Sequence, residues 1–357
     1  MPLTPSIAPA RGMKAKTIKG LLRRKFDDFL TSIEDETVRE RVKNHTIITG
    51  GSIASMLLGE PVNDYDLYFT DVETVRLVAR YYVDRFTKNP PPRFKDGRDI
   101  HIFVQEDKAR VEPYTTHVRN GETGLWEPLA RERVIPPRVK VVVKSAGIAS
   151  EGGPETGYAY FEDPKGDRDP DAPQATAYVE EVFAGVDDPG ESVLADDGDD
   201  KPKYRPVFLT SNAITLSDGI QLVLRFYGSV EDIHENFDFA HCTNAWDAGT
   251  GELTLRQPAL EALLTRELRY QGSRYPLCSI FRTRKFIERG WTINAGQYLK
   301  MAMQLAAFDL TSISTLEDQL VGVDAAYFVE IIELLQRKFP DGVCPSAYLL
   351  EIVDRMF

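Results

Sequence analysis

The feature that most constrains this chain is a glycine turn followed, twelve residues later, by two aspartates in alternating positions. Gly50, Gly51 and Ser52 come directly after a short apolar segment, and Asp64 and Asp66 alternate with apolar residues. In a strand, residues i and i+2 point to one face, so both carboxylates are expected on the same side. Two carboxylates a few ångströms apart repel each other unless a cation lies between them. Oxygen ligands suit Mg²⁺ or Mn²⁺, so the spacing predicts a metal site.

The glycine turn itself is suited to an anion. Ser52 is expected to cap a short apolar helix that runs from Ile53 to Leu58. Backbone amides at the start of a helix attract negative charge, and Gly50 and Gly51 let a ligand approach the backbone closely. The segment therefore predicts a phosphate site next to a metal site.

The order of these motifs resembles the nucleotidyltransferase superfamily typified by DNA polymerase beta. That superfamily has an apolar residue, Gly-Gly or Gly-Ser, about ten spacer residues, and then D-x-D on a strand. The resemblance implies that Gly50, Gly51 and Ser52 hold nucleotide phosphates. It also implies that Asp64 and Asp66 are catalytic residues that hold two Mg²⁺ (or Mn²⁺) ions.

The resemblance further implies a third carboxylate on a strand beside the D-x-D strand. Asp238, in the segment N-F-D-F, is the favoured catalytic and metal-binding candidate, because an unpaired acid in an apolar strand would be costly. Asp99, in R-D-I-H-I-F, is its rival and lies closer in sequence.

The C-terminal third is similar to the tRNA nucleotidyltransferase and poly(A) polymerase class. The segment Ser279–Ile293 matches that class's R-x-x-R-F…G-F helix at Arg282, Lys285 and Phe286, with Ser279 in place of the first arginine. The resemblance implies that Arg282 and Lys285 bind nucleotide phosphates. It covers roughly residues 45–71 and 206–293, and the E-D-x-x-R helix that selects the base in bacterial CCA-adding enzymes is missing.

The expected fold class is α+β, with a mixed-sheet nucleotidyltransferase head domain followed by a small helical domain. We assign an N-terminal tail and helix to residues 1–44, with helical spacing over 17–43. The head domain takes residues 45–250, and the helical neck and C-terminal domain take 251–357. Residues from about 150 to 203 are read as an inserted acidic loop with too few apolar residues to order itself.

Local patterns predict further elements. Asp71 is expected to cap a helix, and Asp218-Gly219 is expected to form a hairpin turn between two strands. The last two predicted helices cover residues 325–339 and 345–357.

The net charge of −12 comes from that insertion alone. Asp and Glu total 55 and Lys and Arg total 43; residues 162–200 hold 14 of the acids and two of the bases, which leaves 41 of each elsewhere. The acidity therefore does not argue against a polyanionic substrate. Three scattered cysteines and the absence of an apolar run near 18 residues predict a cytoplasmic protein without a membrane span.

The first hypothesis is a metal-dependent nucleotidyltransferase. It would move a nucleoside monophosphate from a nucleoside triphosphate to an acceptor hydroxyl and release pyrophosphate. The favoured acceptor is an RNA 3′ end, with a protein or a small molecule as fallback. Two alternatives stay open: a catalytically inactive descendant that keeps the fold for binding or assembly, and a toxin-like transferase that modifies tRNA or protein.

Overall fold

The computed structural model of the chain describes residues 12–88, 100–119, 126–145, 202–209, 211–320 and 335–348. Within these ranges the strands are β1 (Thr46–Thr49), β2 (Tyr65–Phe69), β3 (Ile100–Glu106), β4 (Arg110–Arg119), β5 (Trp126–Ile135), β6 (Val139–Ser145), β7 (Pro206–Leu209), β8 (Ala213–Leu216), β9 (Ile220–Tyr227), β10 (Ala245–Asp247) and β11 (Leu253–Thr254). The helices are α1 (Ala15–Thr31), α2 (Glu36–Asn44), α3 (Gly51–Leu58), α4 (Val72–Lys88), α5 (Val230–His234), α6 (Gln257–Thr265), α7 (Pro276–Glu288), α8 (Ala295–Leu305) and α9 (Ile313–Leu320).

A seven-stranded mixed sheet organises the described part of the chain. Its strand order is β11-β10-β1-β2-β9-β8-β7, and two smaller sheets pair β3 with β6 and β4 with β5. Within the large sheet β2 and β9 run parallel, whereas the other neighbours are antiparallel. The parallel pair places a strand from residues 220–227 directly beside the D-x-D strand. The α+β fold class is thereby confirmed.

One face of the sheet packs against α1, α2 and α4. The strands contribute Ile48, Leu67 and Leu222, which are all buried, and these belong to the main apolar core. The helices contribute side chains at helical spacing, among them Ile18, Leu22, Phe26 and Phe29 from α1, Val38 and Val42 from α2, and Val75, Val78 and Tyr82 from α4. Because side chains alternate along a strand, the neighbouring residues of β1, β2 and β9 must face the other way.

The opposite face carries the candidate site. Ile47, Tyr68 and Val223 form a second buried cluster there with Ile233 of α5 and Cys278 of α7. A third buried cluster joins α3 to the C-terminal helices and contains Ala54, Phe239, Leu263, Leu268, Tyr270, Trp291 and Met301. The helical C-terminal region therefore packs on the face of the sheet to which Asp66 belongs by strand alternation.

Several local predictions from the sequence are confirmed. The side chain of Asp71 accepts a hydrogen bond from the backbone N–H of Thr74 at the start of α4 (2.9 Å), as expected for a helix cap. Asp218 and Gly219 both have positive φ angles, 62° and 67°, which is the geometry of the predicted hairpin turn between β8 and β9.

The single helical segment expected over residues 17–43 is two helices. α1 ends at Thr31, and the side chain of Asp35 accepts from the N–H of Val38 to begin α2. A buried apolar side chain, Ile33, lies in the connection and continues the apolar stripe, so the periodicity alone did not reveal the break.

Some predictions lie outside the described residues. They include Asp99, the acidic insertion over most of its length and the greater part of the last two predicted helices. Where the chain is described, none of its helices combines the length and the apolar character needed to cross a membrane.

Candidate functional site

The Gly-Gly-Ser turn lies directly against the D-x-D segment. Gly50 follows β1 with φ 100° and ψ −151°, and its N–H donates to the carbonyl oxygen of Cys242 (3.2 Å). A Cβ added to Gly50 would lie 2.9 Å from Oδ2 of Asp66, closer than such contacts occur. Glycine is required here both for the backbone angle and for the close approach of the carboxylate.

Ser52 is inside the first turn of α3 and does not cap it. The helix begins at Gly51 with Gly50 at the cap position, so the predicted Ser52 cap is wrong. The cap position therefore falls at Gly50, two residues before Ser52. The backbone angles of Gly50 lie in a region that serine could adopt only with strain. The hydroxyl of Ser52 is buried and has no hydrogen-bond partner among the described residues. A buried hydroxyl without a partner is costly, and this one is placed to donate to a ligand held by the turn.

The two predicted metal ligands lie at the start of β2. Asp66 is the second residue of the strand and pairs with Thr49 of β1, whereas Asp64 comes one residue before the strand begins. Both aspartates are half-buried. Strand pairing with β1 therefore brings Asp66 to the glycine turn, as the order of the motifs in the sequence suggested.

Asp238 does not lie on a strand, so that part of the sequence interpretation is wrong. It occupies a bend before Phe239, and its backbone carbonyl accepts from the N–H of Gln271 (2.8 Å). The strands that flank β2 place Thr49 and Gln221 opposite Asp66. Neither flanking strand therefore carries an acid at that level.

Asp238 and Asp66 nevertheless influence the same buried side chains. Burial raises the pKa of the Cys242 thiol, and the charges of Asp238 and Asp66 raise it further while Arg282 lowers it. The same three charges act on Tyr68, whose pKa is raised chiefly by burial. The charges of Asp66, Asp238 and Arg282 thus act on the same two buried groups, the Cys242 thiol and the Tyr68 hydroxyl.

The helix predicted to contact phosphates is α7. It begins with Pro276, as proline favours the first turn, and it ends before Gly290, which has φ 82°. Arg282 forms an ion pair with Asp238 at 2.8 Å, with side chains 24% and 11% exposed. Lys285 lies three residues further along α7 and is half-buried. Two predicted site residues, Arg282 and Asp238, are therefore bound to each other.

The aspartates and neighbouring groups fit a metal only in part. Asp66 lies against the glycine turn, and Asp64 comes two residues before it in the chain. Carboxylate oxygens suit Mg²⁺, and the buried Ser52 hydroxyl could donate to a phosphate. Across the described ranges, no group of three or more His, Cys, Asp or Glu side chains is arranged to hold a metal ion. Since Asp238 is engaged by Arg282, the two-ion site stays a prediction.

A buried hydrogen-bond network lies next to the turn and involves Thr49, the residue before Gly50. The sequence did not predict this network. The hydroxyl of Thr49 donates to the carbonyl oxygen of Asn244 (2.7 Å) and lies 2.8 Å from Nε2 of His234. Burial lowers the pKa of His234 to about 4. His234 and Thr49 are far apart in sequence, and no local pattern links them.

Comparison with family models gives a match over most of the chain. A family model described as "Gad2: Gabija anti-defense 2 family protein" matches residues 20–266 of this chain. A curated protein named "Gabija anti-defense 2", from Bacillus phage SPbetaL7, is 24% identical over 110 residues. That alignment covers 30% of this chain and 28% of the phage protein, so the chain spans little more than a quarter of this relative.

Solved structures give weaker matches. A tRNA-processing enzyme with CTP is 11% identical with a TM-score of 0.32, over 86% of this chain and 57% of that one. The Thermotoga maritima CCA-adding enzyme complexed with tRNA is 10% identical with a TM-score of 0.32, over 88% and 55%. The Bacillus stearothermophilus CCA-adding enzyme in complex with CTP is 12% identical with a TM-score of 0.30, over 86% and 52%. The chain thus spans about half the length of these enzymes.

Proposed function

This chain belongs to the Gabija anti-defense 2 family, and we propose that it acts against the Gabija defence by nucleotidyl transfer. The reaction would move a nucleoside monophosphate from a nucleoside triphosphate to an acceptor hydroxyl and release pyrophosphate. The single observation that carries the proposal is the contact between the glycine turn and the D-x-D segment, with Gly50 placed against Asp66. A phosphate site and a pair of carboxylates at one point are the two parts that this chemistry needs.

The residues of the site would divide the work between binding and charge stabilisation. The first amides of α3 have no intrahelical partner, so Gly51 and Ser52 would donate to phosphate oxygens, and the buried hydroxyl of Ser52 would join them. Asp64 and Asp66 would hold Mg²⁺ or Mn²⁺. When bound, such ions neutralise the charge of the triphosphate and lower the pKa of the attacking hydroxyl. Arg282 would stabilise the departing pyrophosphate after exchange from Asp238.

The proposed acceptor is an RNA 3′ end, which the resemblance of the C-terminal third to tRNA nucleotidyltransferases favours. A protein hydroxyl is the alternative acceptor, in the manner of a toxin-like transferase. Outside the acidic insertion the chain carries equal numbers of acidic and basic residues, so its charge is compatible with either.

An incorporation assay tests the reaction. The purified chain would be incubated with Mg²⁺ or Mn²⁺, each labelled nucleoside triphosphate, and RNA or Gabija proteins as acceptor. We expect one acceptor to become labelled. The rate of incorporation should fall about 100-fold or more in the double variant Asp64→Asn/Asp66→Asn, because charge stabilisation at the reacting phosphate is removed. The control Asp27→Asn/Asp84→Asn removes the same two charges from exposed helix positions and should retain activity.

One observation favours a second candidate, a binding protein that keeps the fold without catalysis. The buried carboxylate of Asp238 is neutralised by Arg282, as in a structural ion pair. Infection of cells that carry the Gabija defence separates the two readings. If the Asp64→Asn/Asp66→Asn variant protects the phage as well as the unmodified chain does, the binding function is correct and nucleotidyl transfer is not the means of protection.

A further inference from the structure

A small cavity lies between α3 and the C-terminal end of α7, next to the glycine turn. Its walls include Gly51 and Ser55 of α3, together with His241, Arg289 and Trp291, and are completed by Ala54, Leu58, Glu60 and Phe286. The cavity measures about 30 Å³. A space of that size holds about two water-sized groups, such as oxygens of a phosphate.

His241, one of the residues that line this cavity, carries unsatisfied polar atoms. Its side chain is 1% exposed, and among the described residues neither Nδ1 nor Nε2 has a hydrogen-bond partner. The ring is held by aromatic contacts, with centroids 4.3 Å from Trp291 and 4.6 Å from Phe286. Burial lowers the pKa of His241 to about 4, so the ring is neutral near pH 7 and offers one N–H donor. A buried polar group with no partner is costly, which points to a ligand.

The charges around the cavity favour an anionic group. Arg289 contributes a cation and Ser55 a hydroxyl donor, whereas the one carboxylate in the wall, Glu60, is balanced by Arg266 at 2.7 Å. Gly51 is the first residue of α3, where the positive end of the helix dipole attracts negative charge. The donors therefore surround a space that begins at the predicted phosphate turn.

We propose that this cavity receives an oxygen of the terminal phosphate of the bound nucleoside triphosphate, with His241 and Arg289 as donors. The proposal rests on the proposed function and deepens it, because His241 and Arg289 would distinguish nucleoside triphosphates from monophosphates. A triphosphate bound at the turn would extend its terminal phosphate toward His241 and Arg289, whereas the single phosphate of a monophosphate would stay at the backbone amides of the turn. His241 and Arg289 are thus specificity residues for nucleoside triphosphates.

Equilibrium binding to the full chain with Mg²⁺ tests the proposal. The probes are a non-hydrolysable nucleoside triphosphate analogue and the matching monophosphate. His241→Phe keeps the aromatic packing and removes both nitrogens. We expect His241→Phe to bind the triphosphate about 10- to 100-fold more weakly, because one hydrogen bond to a charged group is lost. The affinity for the monophosphate should change by less than about twofold. Arg289→Gln, at an exposed position, should act in the same direction without disturbing the fold.

A matched control is His45→Phe, the same substitution at a half-buried histidine paired with Asp71 and absent from the cavity wall. If His241→Phe and Arg289→Gln bind the triphosphate as tightly as the unmodified chain, the inference is overturned while nucleotidyl transfer stands. If His241→Phe does not fold, Arg289→Gln alone decides. If the unmodified chain binds no triphosphate, both the inference and the proposed reaction are wrong.

Discussion

At the scale of single residues, Gly50 joins the two halves of the candidate site. Its φ of 100° lies in a region that other residues rarely adopt, and a Cβ there would meet the carboxylate of Asp66. We expect Gly50→Ala to reduce the free energy of unfolding by about 1–3 kcal/mol, the cost of forcing such a backbone conformation. Urea denaturation of the two proteins measures this difference.

Gly20 provides the matched control for that substitution. It lies inside α1, where an added Cβ would have no atom within 4 Å, so Gly20→Ala should raise the free energy of unfolding by up to about 1 kcal/mol. Equal stability changes in Gly50→Ala and Gly20→Ala would show that neither the angle nor the contact with Asp66 constrains the turn.

The ion pair between Asp238 and Arg282 is the second feature that belongs at this scale. Because both side chains are largely buried, removing one leaves the other charge poorly solvated. In a double-mutant cycle of Asp238→Asn and Arg282→Gln we expect a coupling of about 1–3 kcal/mol in the free energy of unfolding. Arg284 and Glu288, an exposed pair on the same helix, should couple by only about 0.3–0.5 kcal/mol. Equal couplings would contradict a structural role for the buried pair.

At the scale of elements, most local signals of the sequence were reliable, apart from the Ser52 cap and the break between α1 and α2, and the long-range ones were not. The turn after β1, the Asp71 cap and the Asp218-Gly219 hairpin each depend on a few adjacent residues, and each lies where the pattern indicated. The bend at Asp238 is imposed from a distance, because Phe239 bridges to Tyr270 and the carbonyl of Asp238 accepts from Gln271. Those partners are about thirty residues away, and apolar alternation around Asp238 does not encode them.

Strand pairing likewise decides which residues lie beside Asp66, which the sequence alone left open. The parallel pair of β2 and β9 sets Gln221 beside Asp66, and only the register shows that no acid lies at that level. The aspartates and the glycine turn were found from the sequence because they lie on consecutive elements. His241 was not, since its environment is assembled from α3, α7 and Trp291.

At the scale of the whole molecule, buried neutral histidines link stability to pH. The pKa of His241 falls from its ordinary 6.5 to about 4 because the ring is buried, and the charge of Asp238 opposes that shift only in part. Between pH 6.5 and pH 4, His241 is therefore protonated in the unfolded chain and neutral in the folded chain. The stabilisation is fully present above pH 6.5 and is lost progressively as the pH falls from 6.5 toward 4.

Acidification should therefore cost the protein stability through His241, by about 2 kcal/mol between pH 7.5 and pH 5. Phenylalanine cannot titrate, so between pH 7.5 and pH 5 the free energy of unfolding of the unmodified chain, measured in urea, should fall by that amount relative to His241→Phe. Phe286→Leu disturbs the same aromatic cluster without removing a titrating group, and its effect should be equal at both pH values. If the difference between the unmodified chain and His241→Phe does not change with pH, His241 is accessible to protons in the folded chain, and its ring is not sealed in the cavity wall.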